Sequence, residues 1–207
     1  EQLSNAIIKS SMIEYAINIY LGETKKMKDK PISAWFCPDI LVAEETKKQV
    51  ADKNLNVELI TAKTPIKERL EILKKHEVGD LECLISVGVL SEGWDNPNCN
   101  IIVHLRPTLS KVFWGQSVGR GLRSANMKEK CIVIDVSSNF TTFGPVEKLK
   151  WKLMNHRKSY LEFKNRFNWI SKQQFVEDRD YTYLLCEGLD KNGRRCSLVY
   201  KKKTLSD

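Results

Sequence analysis

Two arginines three residues apart, Arg120 and Arg123, stand in the segment Gln116-Ser117-Val118-Gly119-Arg120-Gly121-Leu122-Arg123. On a helix that spacing projects both side chains from one face. A guanidinium does not lose its charge, so such a pair suits a triphosphate whose charge builds up during transfer. Glycines at 119 and 121 keep side chains out of the way of a close approach. Taken alone, the segment favours the plainer reading of a helix end with two solvated arginines and two packing glycines. A second segment lies upstream, Ser86-Val87-Gly88-Val89-Leu90-Ser91-Glu92-Gly93-Trp94-Asp95-Asn96-Pro97, just past an apolar, strand-like run. Loops at the carboxyl ends of parallel strands are where ligands of such sheets collect, and both segments are expected there.

The elements that must position these residues follow from hydrophobic periodicity. Ile7, Ile8, Met12, Ala16, Ile17, Ile19 and Tyr20 recur with helical spacing and predict one opening amphipathic helix, ended by Gly22. Five apolar, β-branched runs predict strands at Ile32 to Cys37, Val57 to Ile60, Leu81 to Val87, Asn100 to Leu105 and Cys131 to Val136. Helices are expected over 40–52, with Asp39 as N-cap, from Thr64-Pro65 to about His76, and over Ser110 to Leu122. Strands alternating with helices imply an α/β fold with a parallel sheet covered on both faces.

Composition narrows the class. A chain of 207 residues with 42% hydrophobic and 29% charged residues is that of a globular protein able to bury a sizeable core. No apolar run approaches the roughly 20 residues that span a bilayer. The absence of an initiator Met and of a basic-then-apolar leader points to a piece of a longer, intracellular polypeptide, expected to be cytoplasmic. Six cysteines without a C-x-x-C pair read as reduced and structural. Cys186 and Cys196 flank an Asn192-Gly193 turn, and a hairpin carrying two thiols is expected rather than a zinc site, which wants four ligands. No metal ligands are assigned, and no nucleophile elbow accompanies His76, His104 or His156. His104 reads as a packed histidine at a strand end.

The charge is unevenly spread. Residues 1–146 carry 19 basic and 18 acidic groups, whereas 147–207 carry 15 and 8 together with nine of the eighteen aromatics. Basic charge interleaved with aromatics suits a polyanion with stackable bases, and Lys148 and Lys152 are candidate contacts. An ordinary basic surface over an aromatic mini-core fits the same composition. Residues 147–207 are expected as a separate extension, a long helix followed by a short hairpin, appended to a domain over 1–146.

Together the two segments resemble motifs V and VI of superfamily 2 helicases and translocases. Glu92-Gly93-Trp94-Asp95-Asn96-Pro97 corresponds to the first and Gln116 to Arg123 to the second. Upstream, Ala34-Trp35-Phe36-Cys37-Pro38 looks like motif IV and Ile60-Thr61-Ala62-Lys63-Thr64 like the short motif that follows it. Arg106-Pro107-Thr108, Asp135-Val136 and Gly144-Pro145 look like the phage-type and restriction-type DNA branch of the DEAD/DEAH helicases. The resemblance covers about residues 1–150 and implies a RecA-like second lobe.

In such proteins ATP lies between two lobes. The resemblance implies that Arg120 and Arg123 reach the γ-phosphate from across the cleft, with Arg123 the arginine finger, and that Gln116 couples the nucleotide to the lobe. It implies that Gly93 and Asp95, with Glu92 beside them, lie near the ribose and the attacking water. Ser86, Gly88, the Cys37-Pro38 turn and Thr61 would contact the nucleic-acid backbone. Val87-Gly88 stands where many members have Thr-Asp, so the contact there passes to Ser86 or to main-chain N–H groups. Gln116 replaces the His of the RNA-remodelling branch, which favours DNA.

Absences complete the expectation. A phosphate loop needs a Gly-Lys step, and here no glycine precedes a lysine and no aspartate precedes a glutamate. The phosphate loop and acidic box, and with them the main contacts to ATP and magnesium, belong to an N-terminal lobe of the same polypeptide. The chain alone should not hydrolyse ATP. Two other classes compete: a dinucleotide or methyl-donor enzyme, which needs a glycine-rich first turn where Cys37-Pro38-Asp39 stands, and a non-catalytic nucleic-acid or protein binding module on the same fold.

Overall fold

The computed structural model describes residues 2–90, 94–125, 128, 130–146, 149, 181–185 and 198–202. Chain order is α1 (Gln2–Lys9), α2 (Met12–Thr24), β1 (Ser33–Phe36), α3 (Ile40–Ala51), β2 (Val57–Ile60), α4 (Ile66–Glu77), β3 (Cys83–Ser86), β4 (Ile101–His104), α5 (Lys111–Gly121), β5 (Ile132–Asp135), α6 (Asn139–Phe143), β6 (Tyr181–Leu185) and β7 (Leu198–Lys202). All five expected strands are present: β2 has the expected bounds, and the other four are trimmed to their hydrogen-bonded centres. β2, β3, β1, β4 and β5 are parallel neighbours in that order.

Alternation along each strand divides the core in two. Trp35, Cys83, Ile85, Ile101, Val103, Ile132 and Ile134 face α1, α2 and α3. Ala34, Phe36, Leu84, Ile102 and Val133 face Ile72 of α4 and Trp114 and Val118 of α5. The four β4 residues are fully buried, which is why the strands read as continuous apolar runs rather than as alternating ones.

Two helices start where their capping residues stand in the sequence. The Asp39 carboxylate accepts the Val42 N–H at 2.9 Å, and the Ser110 hydroxyl accepts the Phe113 N–H at 3.1 Å. The opening segment differs from expectation, because it is two helices. The Ser10 hydroxyl donates to the Ile7 carbonyl and Ser11 takes φ 57, which ends α1 and redirects α2. Gly22, expected as the stop, lies inside α2, whose buried Ile13, Ala16, Ile17 and Tyr20 hold the helix against its propensity cost. Helix α6 has no signal in the hydrophobic periodicity. It forms because the Asp135 carboxylate accepts the Phe140 N–H at 2.6 Å and anchors Ser137 and Asn139.

In the extension, β6 and β7 pair antiparallel, and β7 lies antiparallel to β5, so the sheet continues to seven strands at that edge. The expected helix after Pro145, His156, the turn at 190–193, Cys186 and Cys196, and Lys148 and Lys152 lie outside the described residues.

Candidate functional site

Five parallel strands give the sheet two distinct edges, and the candidate residues divide between them. At the carboxyl edge, main-chain bonds from Cys37 N–H to the Ser86 carbonyl (3.0 Å) and from Val87 N–H to the Ile60 carbonyl (3.2 Å) bring the ends of β1, β2 and β3 side by side. Cys37, Pro38, Thr61, Ser86 and Gly88 therefore share one rim.

Their side chains are not equally available there. Ser86 is buried, and its Oγ accepts the Leu90 N–H at 3.3 Å. Cys37 is buried beside Thr46, and desolvation pushes its thiol up to about 12, so only its main chain faces the rim. Gly88 is exposed with φ +73, a left-handed conformation that an L side chain would adopt under strain. The Thr61 Oγ accepts the Lys63 N–H at 3.1 Å within a tight turn. Arg69 of α4 grips that turn by donating to the carbonyls of Thr61 (3.0 Å) and Thr64 (3.2 Å). Nothing in the sequence distinguishes Arg69 from the other cations of α4.

The arginines lie at the opposite edge. Helix α5 leaves the carboxyl end of β4 and runs back across the sheet, so its last turn sits over the amino ends of β4 and β5. A Cβ on Gly121 would stand 2.5 Å from Ile102 Cγ1 and 2.6 Å from Cys131 Sγ, so this glycine lets helix and sheet touch. Gly119, expected to serve a similar close approach, has nothing within 4 Å of its Cβ position. The expectation that both segments collect at the carboxyl ends is thereby corrected: only the first residues of the 86–97 segment do.

The described residues after Gly88 lie elsewhere. Leu90 and Trp94 are buried on the α4 and α5 side, and Asp95 stands at the amino edge. Its position is fixed by Asn96, whose Nδ2 donates to His76 Nδ1 and to the His76 carbonyl, both at 3.0 Å, while His76 Nε2 donates to the Ser33 carbonyl at 3.0 Å. Burial pushes His76 down to about 4, so the ring is neutral and can accept from Asn96. Asp95 is exposed, and its Oδ1 pairs with Nη1 of Arg123. Arg120 stands close by. Burial and the neighbouring Arg123 hold its guanidinium below its ordinary range, with Asp95 opposing them. Gln116 is exposed on the same helix, and Glu92 and Gly93 lie outside the described residues.

His104 is a packing residue, as expected. It stacks on Phe36 at 4.9 Å, Ser117 Oγ accepts from its Nε2 at 2.9 Å, and burial pushes it down to about 3. Ser117 in turn donates to the Trp114 carbonyl, so the contact locks α5 to the end of β4. No group of three or more His, Cys, Asp or Glu that could hold a metal occurs among the described residues. No helix among them is long and apolar enough to cross a membrane.

A parallel sheet of this strand order, covered by helices on both faces, has a known counterpart. Residues 11–125, more than half of the chain, match the helicase conserved C-terminal domain. The chain belongs to that family. The Saccharomyces cerevisiae protein IRC3, named as an ATP-dependent helicase, is 32% identical over 133 residues, covering 64% of this chain and 19% of that protein. UvrABC system protein B of Methanococcus maripaludis is 27% identical over 125 residues, covering 56% of this chain and 19% of that protein. The chain thus spans about a fifth of the length of these relatives. In fold it is similar to domain 2 of the DEAD-box helicase Mss116p, solved bound to an RNA duplex, with TM-score 0.52, 15% identity and coverage of 79% and 65%. The C-terminal part of the Fun30 ATPase domain gives TM-score 0.51 at 13% identity, covering 74% of this chain and 54% of that one. The RecA-like helicase C-terminal fold of a family of ATP-dependent helicases is therefore established for this chain.

Proposed function

We propose that this helicase C-terminal domain is the second motor lobe of an ATP-dependent DNA helicase or translocase and supplies arginine fingers to an ATP site completed by another lobe. The observation that carries this reading is the pairing of Arg123 with Asp95 beside Arg120 at the amino edge of the sheet. Two neighbouring guanidinium groups, of which Arg123 disfavours the charge of Arg120, with the exposed Asp95 carboxylate beside them, are an arrangement that a polyphosphate would satisfy. Arg123 would neutralise charge that develops on the γ-phosphate, Arg120 would hold the phosphate chain, and Gln116 would report its presence along α5. Gly93, Asp95 and Glu92 would border the ribose and the attacking water. Magnesium, held by the other lobe together with most of the nucleotide, would neutralise the remaining phosphate charge.

Nucleic acid would lie at the carboxyl edge, against the main chain of Cys37-Pro38, Thr61 and Gly88, with Ser86 shaping the turn from within. The 86–97 crossover supports coupling of the two edges, because it begins at one rim and ends at Asp95 on the other. Gln116 favours DNA over RNA. Lys148 and Lys152 would extend the contact surface into the basic extension. The test is steady-state ATP hydrolysis, with and without DNA, by the longest natural polypeptide that contains this chain, compared with its Arg123→Ala variant. Nucleotide binding should stay nearly intact while kcat falls by about 10³ or more, the scale of an arginine finger. Lost affinity at an unchanged rate would assign Arg123 another role.

A further inference from the structure

One side chain joins the two halves of the amino-edge cluster. Lys128 lies in neither motif, in the turn between α5 and β5, where its own N–H donates to the Ala125 carbonyl at 3.2 Å. Its ammonium donates to three main-chain carbonyls: Gly121 at 2.6 Å, Arg123 at 2.9 Å and Pro97 at 3.2 Å. An ammonium has three N–H donors, so this set uses all of them. Gly121 is the last residue of α5, Arg123 follows it by two residues, and Pro97 belongs to the loop that carries Asp95. No carboxylate among the described residues forms an ion pair with Lys128. The Gly121 carbonyl, at the negative end of the α5 dipole, takes that place together with the carbonyls of Arg123 and Pro97.

We propose that Lys128 is a positioning residue that clamps the main chain of Arg123 to the loop of Asp95, so that the guanidinium is held at a fixed height above the amino edge. The inference rests on the reading of Arg123 as the group that faces the nucleotide. The need for a clamp is physical. Arg123 is exposed and lies beyond the last residue of α5, so helix geometry does not constrain it. Its pairing with Asp95 is a solvated contact of the kind that contributes little order. Part of the Lys128 stem is buried, and burial holds its ammonium below the ordinary lysine range. The ammonium is therefore desolvated against those carbonyls, which makes the contact more rigid than a surface one.

Two substitutions separate positioning from stability. Lys128→Met keeps most of the stem and removes the donors. Lys128→Arg keeps a charge at the helix end, but its planar fork does not match three converging carbonyls. In this chain, hydrogen exchange followed by mass spectrometry should accelerate in peptides covering 94–98 and 121–125 for both variants. In the longest natural polypeptide, both should lower kcat by about tenfold to a hundredfold, the cost of misplacing a reacting group by about 1 Å, with KM for ATP nearly unchanged. Lys128→Arg should recover the melting temperature that Lys128→Met loses. If Lys128→Arg recovers kcat as well, or if exchange at 94–98 and 121–125 is unaltered, the clamp is overturned and Lys128 merely caps the helix. Should Lys128→Met fail to fold, Lys128→Arg carries the same comparison. A normal kcat in Arg123→Ala would instead defeat the reading of the site. Arg123→Ala losing kcat while both Lys128 variants keep it would defeat the clamp alone.

Discussion

Nη1 of Arg123 is paired with Oδ1 of Asp95, two residues that a whole strand and a whole helix separate along the chain. Their side chains remain 41% and 63% exposed, so the pair contributes only about 0–1 kcal/mol to folding. Its value lies in geometry. Asp95→Ala and Arg123→Ala should each melt within about 4 °C of the parent chain, since 1 kcal/mol moves a domain of this size by about 2–4 °C. Thermal denaturation by circular dichroism checks this. A drop of about 10 °C, well beyond that range, would make the pair a structural element instead.

The chain by itself should fold and show no ATP turnover, with or without DNA, because no Gly-Lys step is present to cradle phosphates. A coupled-enzyme assay on the purified chain decides the matter. Robust hydrolysis would mean that the arginine cluster does not need a second lobe.

The two glycines of the arginine segment should respond in opposite ways. Gly121→Ala drives a methyl into Ile102 and Cys131, and overpacking of this kind costs about 1–3 kcal/mol, with the end of α5 displaced. Gly119→Ala places its methyl in open space within a helix and should be neutral or stabilise by up to about 1 kcal/mol. Urea unfolding of both variants makes the comparison. Equal effects would show that α5 packs on β4 with room to spare.

Acid should destabilise the fold below pH 6.5. His76 and His104 are pushed down to about 4 and about 3 by burial, so the unfolded chain binds protons more tightly than the folded one, and stability is lost as pH falls from 6.5 toward those values. Asp135 opposes this. Burial raises it to about 6, so its protonation stabilises the folded state as pH falls from 6 to 3.8. Two histidines outweigh one carboxyl, and the net loss at pH 4.5 should be on the order of 3 kcal/mol relative to pH 7. Urea midpoints at pH 7, 5.5 and 4.5 measure it, and a flat profile would contradict the burial of both rings.

The basic extension should strengthen nucleic-acid binding electrostatically. Truncation after Val146 is a poor test, because it removes β7 and uncovers the edge of β5. Reversing charge with Lys148→Glu, Lys152→Glu and Lys172→Glu avoids that. DNA affinity should fall, and the slope of log K against log salt should shrink by about 0.9 for each phosphate that is no longer neutralised, with no change in melting temperature. An unchanged slope would assign the extension a purely structural part.

Much of this is legible in the residues themselves. The five strands are visible because a doubly covered parallel sheet leaves no alternation to confuse with a helix, and Asp39 and Ser110 announce their helices because a cap acts on N–H groups two or three residues away. The arginine and Asp95 segments can be named in the sequence through their joint resemblance to motifs V and VI. What the residues do not give is their partition in space. Placing Thr61 and Gly88 at one edge and Asp95 and Arg123 at the other depends on where the crossover runs and on which way α5 leaves β4. The survival of α2 through Gly22 is likewise decided by burial of Ile13, Ile17 and Tyr20 against distant strands. Arg69 and Lys128 are invisible for the same reason. Their partners are main-chain carbonyls, which every residue carries, so only the folding of the backbone determines which cation meets them.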